Sequence, residues 1–221
     1  MEECEYMVSV VIPAYNNGRH IGRAVESVLS QSRQADEIIV IDDGSTDDTQ
    51  KVLEQFKDSI VYIRQQNAGA SAARNTGIRA AKYPWIAFLD ADDEWLTEKL
   101  AMQMKVLEGK PELAWISGNF IRCQCNKNIQ KPAYSTTKLE KIFKGQSFFE
   151  NYFNLFAENI QGHTSAMIIR KDMLEKAGLF KVGQKRANDL DMWWRVAYLN
   201  PEIGFVAEPV EIYHLDVEES L

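Results

Sequence analysis

Two acidic clusters stand at the ends of apolar runs. Asp90-Ala91-Asp92-Asp93 follows the run 85–89, and Asp42-Asp43-Gly44-Ser45 follows the run 38–41. Carboxylates spaced as Asp-x-Asp can ligate Mg²⁺ or Mn²⁺ through oxygen. Such an ion lets a diphosphate approach carboxylates that would otherwise repel it. An Asp-x-Asp alone is equally consistent with an acidic, helix-capping turn. A third run, 8–12, ends in Pro13-Ala14-Tyr15-Asn16, which offers an aromatic ring. No glycine-rich loop follows it, so neither a dinucleotide fingerprint nor a P-loop is present. Later in the chain, Asp189 and Asp191 open an aromatic segment containing Trp193 and Trp194. A carboxylate there can take a proton from a hydroxyl, and a tryptophan can stack on a sugar. The two aspartates, two residues apart, cannot share a helix face.

The elements around these residues alternate. Runs 8–12, 38–41, 60–63, 85–89 and 113–118 read as buried strands, with helical patterns from Ile21, through Val52, Leu53 and Phe56, across 71–81 and at 100–107. Such alternation predicts right-handed βαβ units and a mostly parallel sheet. Ligands of open α/β sheets bind beyond the carboxyl ends of the strands, which is where the acidic clusters fall. Ser45 with Asp48 predicts a capping box. Residues 123–144, polar and lysine-rich, read as irregular structure, and 148–156 as a helix. A short strand at 166–169, helices at 171–177 and 189–199, and a strand at 210–213 follow. Trp193, Val196 and Ala197 face inward in that last helix.

Four ordered stretches then carry a resemblance. Val8 to Asn16, Ile41 to Asp47, Gln66 to Gly77 and Phe88 to Asp93 resemble family 2 glycosyltransferases of the GT-A fold. The likeness is close over 8–107 and thinner to 213. It implies a single GT-A domain over 1–221, an α/β fold with a mostly parallel central sheet flanked by helices. Residues 8–118 would form the nucleotide-sugar-binding half and 119–221 a smaller, mixed acceptor-side half.

The resemblance also implies roles. Pro13, Ala14, Tyr15, Asp42, Asp43, Gly69, Arg74, Asp90, Ala91 and Asp92 would bind the donor. Tyr15 would stack near the base, Asp43 accept from it, Arg74 approach the pyrophosphate and Asp90 face the ribose. Asp92, with His214, would hold Mn²⁺ or Mg²⁺. Asn188-Asp189 matches the family's Glu-Asp motif, with Asn188 in place of the usual Glu. Asp189 takes the position of the catalytic base, and Asp191 is the rival or a structural cap. His163, Asp191, Trp193 and Trp194 would line the acceptor side. The reaction implied is inverting transfer of a sugar from a nucleotide diphosphate donor, UDP-linked, to the hydroxyl of a glycan or glycolipid acceptor in cell-surface polysaccharide assembly. The alternative is a catalytically degenerate module that binds a nucleotide sugar or a protein.

Composition sets outer bounds. The 221 residues carry a net charge of −7 and are 45% apolar, which argues for a packed core and against nucleic acid as a partner. Cys4, Cys123 and Cys125 lack framework spacing and read as free thiols. The acidic start is no signal peptide, and no run approaches the ~20 residues of a membrane span. The expected location is cytoplasmic, with peripheral association at the inner face of a membrane.

Overall fold

A computed structural model describes residues 5–215; Cys4 and the acidic ending 216–221 lie outside the described residues. The early apolar runs become strands β1 (Val8–Ala14), β2 (Glu37–Asp42), β3 (Val61–Arg64) and β4 (Trp85–Phe88). Helices α1 (Ile21–Leu29), α2 (Thr49–Leu53) and α3 (Ala70–Ala80) connect them. β3, β2, β1 and β4 lie side by side in that order, all parallel. Alternating side chains serve two cores, because successive residues of a strand point to opposite faces. Val8, Val10 and Ile12 pack with Ile21, Val25 and Val28 of α1, while Val11, Ile39 and Ile41 pack with Ala73 and Ile78 of α3. Gly77 permits that second contact: a Cβ there would lie 2.3 Å from Val11 Cγ1. The glycine that interrupts the helical pattern therefore seats α3 on β1.

The chain continues through β5 (Glu94–Trp95), α4 (Lys99–Gly109), β6 (Trp115–Gln124), β7 (Ile129–Pro132) and α5 (Thr136–Phe143). It ends through β8 (Phe148–Phe149), α6 (Tyr152–Ala157), β9 (Ile168–Arg170), α7 (Lys171–Lys176), α8 (Asn188–Leu199) and β10 (Ile203–His214). One sheet runs β3-β2-β1-β4-β9-β6-β10-β5. β9 is antiparallel to both β4 and β6, whereas β6 and β10 are parallel. The strands β1 to β4 are thus uniformly parallel and the later ones mixed, in the manner of the GT-A architecture. Residue 118, where the two halves were expected to meet, lies inside β6.

Several expectations give way. Residues 123–144 are not irregular: they complete β6, turn back as β7 and form α5. Leu139 and Phe143 of α5 are buried at helical spacing, a period hidden by its polar majority. Residues 148–156 are not one helix. β8 pairs with β10, and Asn151 then caps α6 by accepting from the Phe153 amide at 2.9 Å. Glu94–Trp95 is a strand too short to show a period, held by pairing with β10. β10 runs from Ile203, well before 210, since both its edges find partners. Cys123 is buried and disulfide-bonded, not a free thiol. No helix among the described residues is long and apolar enough to cross a membrane.

Candidate active site

The loops after β1 and β2 brace one another. Parallel register sets Ala14 beside Asp42. Asp42, fully buried, accepts from the Ser45 amide at 2.7 Å and from the Tyr62 hydroxyl at 2.6 Å. The Ser45 hydroxyl accepts from the Asn16 amide at 3.0 Å, and Asn16 Oδ1 accepts from the Thr46 amide at 2.8 Å. The expected capping box therefore does not form: Ser45 is engaged across the loops, and Asp48 makes no cap bond. Asp47 does that work, accepting from the Thr49 amide at 3.0 Å and the Gly18 amide at 2.9 Å. Tyr15 is half-buried on this rim, beside the buried Pro13 and Ala14.

Asp43 is the hub of the contacts between the β2 loop and α3. It accepts from Gln65 Nε2 at 2.6 Å, the Ala68 amide at 3.0 Å and the Gly69 amide at 2.7 Å. Its carboxylate thus ties β2 to the start of α3. Gly69 has φ +87° and ψ 163°, a region essentially reserved for glycine, so this entry into α3 depends on that residue.

Arg74 projects from α3 and is almost wholly buried. Its Nη2 donates to Asp90 Oδ1 at 2.6 Å, and its guanidinium lies 5.5 Å from the Phe180 ring centroid. Asp90 opens a tight turn in which the Asp93 amide donates to the Asp90 carbonyl at 3.0 Å. Arg23 of α1 donates to the Asp92 carbonyl at 2.6 Å, fixing that backbone, with Ala91 and the Asp92 side chain buried. His214, at the end of β10, meets the same turn. Its amide donates to Asp93 Oδ1 at 3.3 Å, and its Nε2 lies 3.2 Å from Glu94 Oε1. Carboxylate oxygens with an imidazole beside them are a donor set that suits Mg²⁺ or Mn²⁺. The residues present fit such an ion.

Beneath the turn lies a buried polar cluster that sequence reading largely missed. Asp93 Oδ2 accepts from Ser165 Oγ at 2.6 Å, and His163 Nδ1 lies 2.7 Å from Glu211 Oε1. Lys99, fully buried, donates to Gln103 at 2.6 Å and sits 4.1 Å from the Trp95 ring centroid. Glu211 reads as one polar residue of an alternating strand and Lys99 as a helix-start charge, so neither announced itself. Asp93, His163 and Glu211 offer ligand atoms within 4.8 Å of one another. The short Nδ1–Oε1 contact, with the Lys99 ammonium near enough to feel the Glu211 charge, favours an ion pair over a metal centre.

Two of these groups titrate in opposite senses. Burial pushes the Lys99 ammonium down to about 7 from 10.5, with Glu211 opposing only in part. Burial also disfavours the His163 imidazolium, but Glu211, then Asp93 and Asp90, outweigh it and push His163 up to about 10 from 6.5. From about 7 to 10.5 the unfolded chain binds more protons at Lys99, so this term raises stability with pH. From 6.5 to about 10 the folded chain binds more at His163, so that term lowers it. The two slopes offset each other in the native chain. Lys99→Met is expected to leave a stability that falls between about pH 7 and about pH 9.5, and His163→Gln one that rises. Urea midpoints at the two pH values check the signs.

Asp189 and the remaining acceptor-side candidates, Asp191, Trp193 and Trp194, sit on α8 and separate clearly. Asp189 is half-buried; its Oδ1 accepts from the Leu190 amide at 2.8 Å, and its Oδ2 has no hydrogen-bond partner among the described residues. Asp191 is bound to Lys181 at 2.6 Å and Arg195 at 2.7 Å. Slight burial works against its charge, but hydrogen bonds from Lys181 and Arg195 hold its carboxyl below the usual range. Trp193 is fully buried, whereas Trp194 is exposed and meets Phe156 edge-on. Trp193 therefore offers no face to a sugar.

Comparison with known proteins bears on this site. The family described as "Glycosyl transferase family 2" matches residues 9–178. An uncharacterized glycosyltransferase of Rickettsia prowazekii is 29% identical over 197 residues, 86% of this chain and 58% of its own. The chain thus spans little more than half of that relative's length. An Escherichia coli protein, UDP-Glc:alpha-D-GlcNAc-diphosphoundecaprenol beta-1,3-glucosyltransferase WfaP, is 44% identical over 104 residues, 46% of this chain and 41% of its own. The crystal structure of Staphylococcus aureus TarS 1-349 in complex with UDP-GlcNAc superposes with a TM-score of 0.79 at 18% identity, covering 96% of this chain and 60% of that one. The first of the matched loops, the acidic turn after β4 and Arg74 between them all lie inside the matched span, and the chain belongs to glycosyl transferase family 2.

Proposed function

We propose that this chain transfers a sugar from a UDP-linked donor to a hydroxyl of a lipid-linked glycan, with inversion, at the cytoplasmic face of a membrane. The observation that carries this is the Arg74–Asp90 pair beside the acidic turn, at the carboxyl end of β4. That is the crevice in which open α/β sheets take their ligands. The glucosyltransferase activity of the Escherichia coli relative and the UDP-GlcNAc bound to TarS support the donor and acceptor classes.

In this reading Tyr15 stacks near the base. Asp43 shapes the base pocket by holding residues 68 and 69, and accepts from the base with its remaining capacity. Asp42 supports that loop. The acceptor oxygen attacks the anomeric carbon as the bond from that carbon to the diphosphate oxygen breaks. Asp189 Oδ2 takes the hydroxyl proton, and Arg74 stabilises the departing diphosphate. Asp92 and His214 would hold Mg²⁺ or Mn²⁺, which would supply charge neutralisation for the diphosphate.

The expected result is that UDP binds in the presence of Mn²⁺ or Mg²⁺ and loses most of its affinity in EDTA, because the net negative charge of the turn 90–93 then repels the diphosphate. Titration calorimetry under the two conditions measures this. Equal affinity in both would remove the metal from the reading.

A further inference from the structure

His163 has an arrangement that packing alone does not require. Its Nδ1 is 2.7 Å from Oε1 of Glu211, a carboxylate with no solvent exposure. Its ring packs against two others, Phe120, stacked at 5.0 Å, and Tyr213, at 4.4 Å, which brace it. The His163 side chain nevertheless keeps 20% of its surface exposed. Since Nδ1 is turned inward to Glu211, the exposed edge is the one that carries Nε2. A buried carboxylate is costly unless paired, and here it is paired with an imidazole whose second nitrogen remains open.

The position of that nitrogen matters. Nδ1 of the ring is 3.9 Å from Asp93 Oδ2, and His163 is close enough to Asp90 to feel its charge. On the other side, the preceding residue Gly162 donates to the Tyr152 hydroxyl at 3.5 Å, and the charge of Asp189 reaches that hydroxyl. Gly162 leaves room for the Met167 side chain, whose Cε would lie 1.8 Å from a Cβ there. His163 therefore stands between the acidic turn after β4 and the start of α8. Arg74 is the cation on the α3 side of the turn; His163 is its counterpart on the acceptor side.

We propose that His163, oriented by Glu211, is a phosphate-binding residue of the transfer site, donating from Nε2–H to a phosphate oxygen of substrate. The inference rests on the glycosyl-transfer reading above. The phosphate belongs either to the donor diphosphate or to the lipid-linked acceptor, and the two sources separate experimentally. Glu211 is a positioning residue in this scheme: it holds the ring and keeps it charged. Burial opposes that charge, and the Glu211 carboxylate outweighs it.

The chain has three histidines, so selective ¹⁵N-histidine labelling gives three imidazole spin systems. His20→Gln and His214→Gln assign His163 by elimination, even if His163→Gln does not fold. Mg²⁺ is used to avoid paramagnetic broadening. Adding UDP with Mg²⁺ is expected to shift Nε2 of His163 while uridine does not. His163→Gln is expected to weaken UDP roughly 10- to 100-fold, as for loss of a charge-assisted hydrogen bond, and leave uridine unchanged. Glu211→Gln, which keeps an acceptor for Nδ1–H but not the charge, is expected to fall between. If farnesyl diphosphate in micelles moves the signal and UDP does not, the acceptor is the source of the phosphate. If UDP binds the native chain and neither ligand moves His163, the proposal is overturned. It is also overturned if Mg²⁺ or Zn²⁺ alone produces the full shift, which would make the cluster a metal centre. A native chain that binds neither ligand overturns the transfer reading itself, a distinct result.

Discussion

Asp189→Asn is expected to lower the transfer rate by about 10² to 10⁴ while leaving UDP affinity nearly unchanged. Asn keeps the size of the side chain and the bond from the Leu190 amide, but cannot take the acceptor proton. The structure makes Asp191 a sharp control. It lies about 200° around the helix from Asp189, and both of its oxygens are engaged by Lys181 and Arg195. Asp191→Asn should therefore cost stability and little chemistry. Single-turnover rates with a matched donor and acceptor make the comparison. Near-native turnover in Asp189→Asn with a dead Asp191→Asn would reassign the base. Full activity in both would remove a base on α8 from the mechanism.

The second large effect concerns stability. Trp193→Ala should cost about 3–5 kcal/mol, the range for emptying a large aromatic site in a core. Trp193 is fully buried, 6.1 Å from the Phe88 ring and 5.7 Å from Phe180. Its Nε1 is buried without a partner, so Trp193→Phe, which removes that cost, should lose much less than the alanine variant. Trp194→Ala, at an exposed position, should stay within about 1 kcal/mol. The loss in Trp193→Ala should also reach the site. Phe180 packs against Trp193 on one side and under the Arg74 guanidinium on the other, so UDP affinity should fall as well. Urea denaturation and UDP titration of the three variants test both claims. A Trp193→Ala chain as stable as native would mean that the ring does not fill this core.

The loops after β1, β2 and β4 were legible because their polar groups are local. Each loop follows a strand of nearly unbroken apolar residues, and its polar groups are contiguous: Asp42 to Ser45, and Asp90 to Asp93. Period and punctuation locate such loops without knowledge of strand order. The groups beneath them were not legible, since each is a lone polar residue inside an apolar or amphipathic element. Glu211 and Lys99 acquire meaning only through partners far away in sequence, His163 and Gln103 among them. Ser45 shows the converse error. Its spacing to Asp48 fits a cap, yet its hydroxyl accepts from Asn16, 29 residues earlier, because β1 and β2 end side by side. Residues 123–144 failed for another reason: in a short helix with two buried positions, polar residues outnumber the signal. On α8 the inward set, Trp193, Val196 and Ala197, was readable from period alone.

Strand β9 has a bearing on how the chain is made. It is three residues long, yet it joins β4 to β6, with Trp85 opposite Arg170 and Trp115 opposite Ile169. On a ribosome, the four parallel strands and their loops emerge well before it. Until then β4 presents an edge of unpaired amides and carbonyls, the kind of surface on which other chains can pair. Pairing over so long a separation is entropically slow to form. A nascent chain therefore passes through a stage in which the acidic loops are complete and the molecule is at its most adhesive. Residues 168–170 end that stage, so release from this hazard is set by a short segment remote from the chemistry.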